Sequence, residues 1–517
     1  MTSVKDWGTR LVFVALLAFI VAIPLVFRQQ QEGPSIATAP TDRLVIVSPH
    51  NEQIRYEFGR AFNRWRGQNG HPAVTFDWRT SGGTSDLRRM VLDQYTAAAK
   101  DSREEQGVGY DLFFGGGEYD HNKLAAGITI ERDGQKQHIA IVEVPQLPPG
   151  LLDEAFPSPM IGGERLYHPE GKWIGTALSS FGIVYNHDVL AMLGLAEPQT
   201  WSDLSDLRYR GWIALADPAH SGSISATYNT ILRRLGWEDG WKMLRRIYAN
   251  ARYFTSSASK VPVDVSAGEA AAGMCIDFYG RFQAGAVGAD GRVGYVDPPF
   301  ATAITADPIS LLRGAPQQHT ANQFIAWLLS EQGQQLWQLP RQIEGGPEKF
   351  ALRRLPIRRD LYTSMKRARW SDRDVAPFDI ARPFPRGMPN LFGTVAIISH
   401  AMAIDIHDDL INAWNAIVQS PNHPARDQMV TFFERMPEAL TVRWPDHYLS
   451  RHWRDVLEEE EHPRHGEAAE VLDSFVRGIT SRWQQRPDRE IEDRLRWTLF
   501  FRDNYRQVVI LARRDSG

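Results

Sequence analysis

Asp277, Tyr279 and Arg281 stand at alternate positions straight after the apolar run Gly273-Met274-Cys275-Ile276. A carboxylate, a phenol and a guanidinium delivered together suit polar recognition of a ligand. The stretch Val265–Arg281 reads as a helix end, a tight turn at Gly273, a buried strand over Met274–Phe278 and a polar loop. In α/β sheets, ligands sit outside the carboxyl ends of the strands. Several other apolar runs end the same way. Leu44–Ser48 leads into Pro49-His50-Asn51-Glu52, and Val74, Phe76 and Trp78 lead into Ser81-Gly82-Gly83-Thr84. Small residues between a strand and a helix leave backbone N–H groups free to hold an anion, unless Thr84 or Ser85 simply caps the helix. Asp111–Phe114 runs into three glycines, and Ile213–Ala216 into Asp217-Pro218 and Ser221-Gly222-Ser223, where Ser221 or Ser223 could cap a helix or hold a ligand.

The elements that must position these loops follow from periodicity. Ile54, Phe58, Phe62 and Trp65 fall at helical spacing, as do Leu87, Met90 and Val91, and Ile224, Tyr228, Ile231 and Leu232. Phe181–Tyr185 and Ile309–Leu312 read as further strands, and Ala321–Leu329 as an amphipathic helix. Beyond about Asp360 the pattern turns to helices rich in Trp and Arg. That tail is expected to pack through its tryptophans on the first lobe, the one holding the runs Leu44–Ser48, Val74–Trp78 and Asp111–Phe114.

At 517 residues the chain suits two to four domains, and its 43% apolar and 23% charged content is ordinary for a globular protein. A net charge of −4 gives no reason to expect nucleic acid as a partner. Cys275 is the one cysteine, which excludes an internal disulfide, a cysteine zinc site and a lipoprotein-type N-terminal cysteine. Leu11–Phe27 is an unbroken apolar run with Lys5 and Arg10 before it, expected to be a retained membrane helix with the bulk of the chain outside the cytoplasm. Gln29–Thr41 then reads as a flexible tether.

Taken together, several segments resemble the extracellular solute-binding proteins of ATP-driven importers, in the group that includes ferric-iron, thiamine, polyamine and phosphonate binders. They are Val45–His50, Trp173–Gly175 through Leu178–Asn186, Pro198–Leu204, Ile213–Pro218 with Ser221-Gly222, and Gly268–Gly273 running into Ile276-Asp277. The resemblance covers about Arg43–Pro356. It implies an α/β fold of the type II periplasmic-binding-protein kind, two lobes joined by a hinge with ligand in the cleft between them.

On that basis 42–160 is the first lobe, 161–300 the second and 301–360 a return to the first, while the anchor at 1–28, the linker at 29–41 and the helical extension at 361–517 depart from the family. The loops matching the family's contact regions are Ser48, His50, Asn51 and Glu52; Ser81, Gly82, Gly83 and Thr84; Ser179 and Ser180; Ser221 and Gly222; and Asp277, Tyr279 and Arg281. Ferric-iron members present two adjacent tyrosines where this chain has Phe278-Tyr279, so one phenol remains. His50, Glu52, Asp277 and Tyr279 are the set that would ligate a metal such as transported ferric iron; no resident cofactor is implied. The implied role is a membrane-tethered binding protein delivering a small ligand to an importer permease.

Two other classes compete. One is a ligand-sensing subunit of a signalling complex. The other is a hydrolase on the same scaffold, against which the chain lacks G-x-S-x-G, H-E-x-x-H and P-loop patterns, and Gly107-Val108-Gly109 stops short of G-x-G-x-x-G.

Overall fold

A computed structural model describes residues 42–287, 291–384, 389–444 and 465–514. The expected membrane helix Leu11–Phe27 and the tether Gln29–Thr41 lie outside these residues. Among the described residues no helix is long and apolar enough to cross a membrane.

Twelve strands form two sheets. In chain order the strands are β1 (Asp42–Val47), β2 (Val74–Arg79), β3 (Leu112–Phe114), β4 (Val142–Glu143), β5 (Ile174–Ser179), β6 (Phe181–Asn186), β7 (Ile213–Ala216), β8 (Ala251–Thr255), β9 (Ala272–Ile276), β10 (Val293–Val296), β11 (Thr305–Leu312) and β12 (Leu355–Pro356). The first sheet runs β12-β5-β11-β3-β1-β2, with β4 also on β11; the second runs β8-β7-β9-β6-β10. In the first, β1 pairs in parallel with β2 and β3, while β11 is antiparallel to β3 and β5. In the second, β7 is parallel to β8 and β9, and β6 is antiparallel to β9 and β10.

Helices cover both sheets because the strands are apolar on both faces. They are α1 (Glu52–Gln68), α2 (Thr84–Lys100), α3 (Glu118–Ala125), α4 (Gly222–Leu235), α5 (Trp237–Asn250), α6 (Lys260–Ser266), α7 (Asp277–Val287) and α8 (Gln318–Leu329). Each sheet with its helices makes one lobe. The chain passes between lobes at Ser180 and returns between β10 and β11. The second lobe therefore begins at Phe181 rather than at 161, since β5 belongs to the first sheet. Sequence reading misses this break because Ile174–Asn186 is buried throughout.

The region around Asp277 differs from expectation. Gly273 lies inside β9 instead of making the turn, and the left-handed residue before the strand is Gly268, with φ 78°. The strand stops at Ile276, and Asp277–Arg281 is the first turn and more of α7, not a loop.

Beyond the lobes come α9 (Phe392–Met402), α10 (His407–Gln419), α11 (Arg426–Glu434), α12 (His465–Gln485) and α13 (Pro487–Arg514). This extension is helical as expected; Trp370 packs on the first lobe's return segment against Leu339, but α9 to α13 dock mainly on α4 and α5 of the second lobe. Trp414 Nε1 donates to Asn250 Oδ1 at 3.0 Å, Trp237 Nε1 donates to Leu440 O at 2.8 Å, and the Tyr248 and Ser399 hydroxyls bond at 2.9 Å. Arg245 of α5 is fully buried there, its guanidinium 5.0 Å from the Phe501 ring centre. The sequence shows amphipathic helices but not the surface that accepts them.

Candidate functional site

One cavity of about 110 Å³ lies between the lobes, smaller than the ~300–1,000 Å³ of drug-sized pockets. The first turns of four helices contribute to its wall: Thr84 of α2, Glu118 of α3 with Gly116 and Gly117 before it, Gly222 and Ser223 of α4, and Phe278 and Tyr279 of α7. Each of these helices follows a strand, so the topology itself brings their N-termini to the sheet edges.

The floor is a buried ionic cluster. His50 Nε2 lies 2.8 Å from Asp307 Oδ2, which also receives Arg354 Nη1 at 3.0 Å. Arg354 Nη2 donates to Ser179 Oγ at 2.7 Å, and Gly116 N donates to Asp307 Oδ1 at 3.0 Å. Burial lowers the pKa of His50 even against the pull of Asp307. Burial alone would raise Asp307, but Arg354 and His50 more than offset it and hold the carboxyl below its ordinary range. Two polar atoms of this cluster, His50 Nδ1 and Arg354 Nε, are buried without a hydrogen-bond partner.

The acids around the cavity are largely answered. Glu164 pairs with Arg233 at 2.7 Å and Asp120 with Arg88 at 3.0 Å. Burial, opposed by Arg88, still lifts Asp120 to about 6, and burial with Glu164 nearby raises Glu118.

The residues marked from sequence separate into two groups. His50, Thr84, Ser179, Gly222 and Tyr279 line the cavity. The others do structural work around it. Ser48 Oγ accepts from His50 N at 3.2 Å, Asn51 caps α1 by accepting from Ile54 N at 3.1 Å, and Ser221 caps α4. Glu52, Ser81 and Gly82 are exposed away from the wall. Gly83, rather than Thr84 or Ser85, is the N-cap of α2, its N–H reaching Asp86 Oδ2 at 3.3 Å. Ser180 Oγ donates to Asp297 Oδ1 at 2.7 Å, and Arg281 forms an ion pair with Asp297 behind the wall.

Asp277 is fully buried with neither carboxylate oxygen hydrogen-bonded. Burial, with Arg281 opposing and Asp297 adding, pushes it up to about 7.

The set His50, Glu52, Asp277 and Tyr279 does not assemble as a metal site. Among the described residues no three His, Cys, Asp or Glu side chains converge. Glu52 is exposed in the first turn of α1, away from the cavity wall. Asp307, Arg354, Arg233 and the α3 N-terminus were not marked from sequence. The three glycines after β3 were the one available signal.

Comparison with known proteins agrees with this architecture. Residues 152–342 match the family described as bacterial extracellular solute-binding protein. The phosphoglycerate transport regulatory protein PgtC of Salmonella typhimurium is 27% identical over 163 residues, 32% of this chain and 40% of the relative. An uncharacterized protein of Haemophilus influenzae is 27% identical over 245 residues, 46% of this chain and 63% of that one. The matches thus span less than two thirds of either relative. Among solved structures, the periplasmic binding protein AfuA of Actinobacillus pleuropneumoniae, with fructose-6-phosphate bound, superposes with a TM-score of 0.50 at 18% identity, covering 72% of this chain and 98% of AfuA. Residues 152–342 are therefore similar to bacterial extracellular solute-binding proteins, and the chain has the fold of a periplasmic binding protein, continued by a helical C-terminal extension.

Proposed function

We propose that the protein is an extracytoplasmic solute-binding protein that closes on a small phosphorylated or carboxylated anion and delivers it to the permease of an ATP-driven importer. The supporting observation is the convergence of four helix N-termini, two from each lobe, on one cavity that also holds Arg354. Backbone N–H groups and the helix dipoles there favour negative charge. Of the wall acids, Asp307, Glu164 and Asp120 each pair with an arginine, and burial raises Glu118. The lack of three converging His, Cys, Asp or Glu side chains among the described residues favours an anion over ferric iron as cargo. The names of two similar proteins, one acting in phosphoglycerate transport and one holding fructose-6-phosphate, point the same way. Leu11–Phe27 would tether the protein to the membrane with the lobes on the periplasmic side.

Thermal-shift and calorimetric titration with 3-phosphoglycerate, fructose-6-phosphate, inorganic phosphate, ferric citrate, thiamine and spermidine test the reading. A phosphorylated anion should raise Tm, because a ligand selective for the native state stabilises by RT ln(1 + [L]/Kd). A response to ferric iron or to the cations alone would overturn it. A second reading, a sensing subunit of a regulatory system, is favoured by the word "regulatory" in the name of the Salmonella relative. Loss of uptake on gene deletion supports delivery; intact uptake with lost transcriptional response supports sensing.

A further inference from the structure

Part of the cavity wall comes from beyond the last strand of the first lobe. Phe384, Asn390 and Phe392 line the cavity and follow β12 in the chain. These residues are fixed to the second lobe. Arg233 and Arg234 of α4 set their guanidinium carbons 3.6 and 4.3 Å from the Phe384 ring centre. Arg234 donates to the carbonyls of Arg382 and Pro383, each at 2.8 Å, and Leu391 N donates to Asn229 Oδ1 at 2.8 Å. From there α9 packs along α4.

At its start, however, the extension reaches the other lobe. The Phe392 ring stacks on Tyr119 of α3, with centroids 4.2 Å apart and planes at 24°. Arg88 and Lys123 stand beside the same Tyr119 ring at 5.3 and 5.5 Å. Because Phe392 moves with the second lobe and Tyr119 with the first, any hinge opening that parts α3 from α4 must part the two rings.

We propose that the extension is a third component of the ligand site: Phe384, Asn390 and Phe392 form its outer wall, and the Phe392–Tyr119 stack is a latch made only in the closed cleft. The proposal rests on the reading of that cleft as the ligand site. It predicts that ligand release requires breaking an aromatic pair between the start of the extension and the first lobe, so the extension sets how long the ligand is held. Aromatic pairs act at centroid separations of about 4.5–7 Å, so a lobe movement of several ångströms abolishes the contact.

Spin labels on Lys100→Cys and Lys242→Cys report the distance between α2 and α5, and Cys275 is buried and will not compete for label. In the ligand-free protein, Phe392→Ala and Tyr119→Ala should each shift the distances towards the open form. Each should weaken 3-phosphoglycerate binding about tenfold through a faster off-rate, and the double variant should add little. Phe392→Tyr should recover most of the affinity. Met365→Ala, at an exposed site in the sequence beyond the lobes, should change neither readout. Distances and off-rates unchanged in both alanine variants, or effects that add, would overturn the latch. Should one variant fail to fold by circular dichroism, the other carries the test. If wild type binds neither 3-phosphoglycerate nor fructose-6-phosphate, the anion reading fails while the ligand-free distances still decide the latch.

Discussion

Ser180 Oγ donates to Asp297 Oδ1 at 2.7 Å, joining the two stretches by which the chain passes between its lobes. Tyr295 OH donates to the same oxygen at 2.8 Å and Arg281 pairs with the other. Beside them, Phe181 and Thr302 exchange hydrogen bonds, N–H to Oγ1 at 3.0 Å and Oγ1 to carbonyl at 2.7 Å. The hinge is thus cross-linked rather than a pair of free strands.

Removing one side of this cross-link should have unequal effects. Ser180→Ala deletes one hydrogen bond and should cost about 1 kcal/mol. Asp297→Ala also strands Arg281 and Tyr295 and should cost ~3 kcal/mol, as expected for half of a largely buried ion pair. Urea denaturation of both variants checks the ranking; equal losses would contradict it.

Closure brings the backbones of the two lobes very near each other at one point. A Cβ on Gly83 would lie 1.8 Å from the His220 carbonyl oxygen, across the cleft. The Gly83 backbone, at φ −81°, suits any residue, so Gly83→Ala acts on closure and not on local strain. It should weaken ligand binding at least tenfold, about 1.4 kcal/mol, while leaving the ligand-free Tm near wild type. Titration calorimetry and a melting curve on one sample decide this.

Asp277 makes stability fall as pH rises. Its carboxyl holds its proton to about 7 in the folded chain, against about 3.9 when unfolded. The native state therefore binds more protons between these values, and stability present below pH ~4 is lost on approach to pH 7. Asp277→Asn should flatten that slope and gain up to ~4 kcal/mol above pH 7, measured by denaturation at pH 5 and pH 8. An unchanged slope would show that Asp277 is solvated.

His400 acts in a higher window. Its Nε2 lies 3.0 Å from Asp217 Oδ1 at the end of β7, and its Nδ1 lies 2.9 Å from Asp405 Oδ1, itself held by Arg494 at 2.7 Å. Burial opposes the charge, but the two carboxylates raise His400 to about 9. Stability from this contact is fully present below pH ~6.5 and lost as pH rises through 9. His400→Gln should cost about 3 kcal/mol at pH 6 and little above pH 9.5, with loss of the far-UV signal of the extension as the readout. A cost that does not vary with pH would refute the charged state.

Most of the fold was legible because its strands are apolar runs stopped by small or polar residues, and its helices repeat Ile54-Phe58-Phe62 patterns. The same logic found His50 and Tyr279, which end strands in the sequence and face the cavity in the structure. Asp307 escaped because Pro308 follows it and the register of β11 shifts between them, so the strand seemed to begin at Ile309. Arg354 lies outside any periodic element, and only its contacts with His50, Ser179 and Asp307 distinguish it from Arg353. The tail's docking surface was illegible for a related reason. A tryptophan marks burial, but the partner surface is chosen by Asn250, Arg245 and the shape of α5.

The covering of α4 and α5 by the extension also bears on synthesis. The second sheet is complete once Val296 is made, yet the helix that finishes the cover ends at Arg514, roughly 200 residues later. At about 5–20 residues per second that interval is ~10–40 s. During part of it Tyr248, which waits for Ser399, and Trp237, which waits for Leu440 and Phe475, lack the cover that hides them in the finished protein. A nascent chain halted in this window is the form most prone to aggregate and most in need of a chaperone.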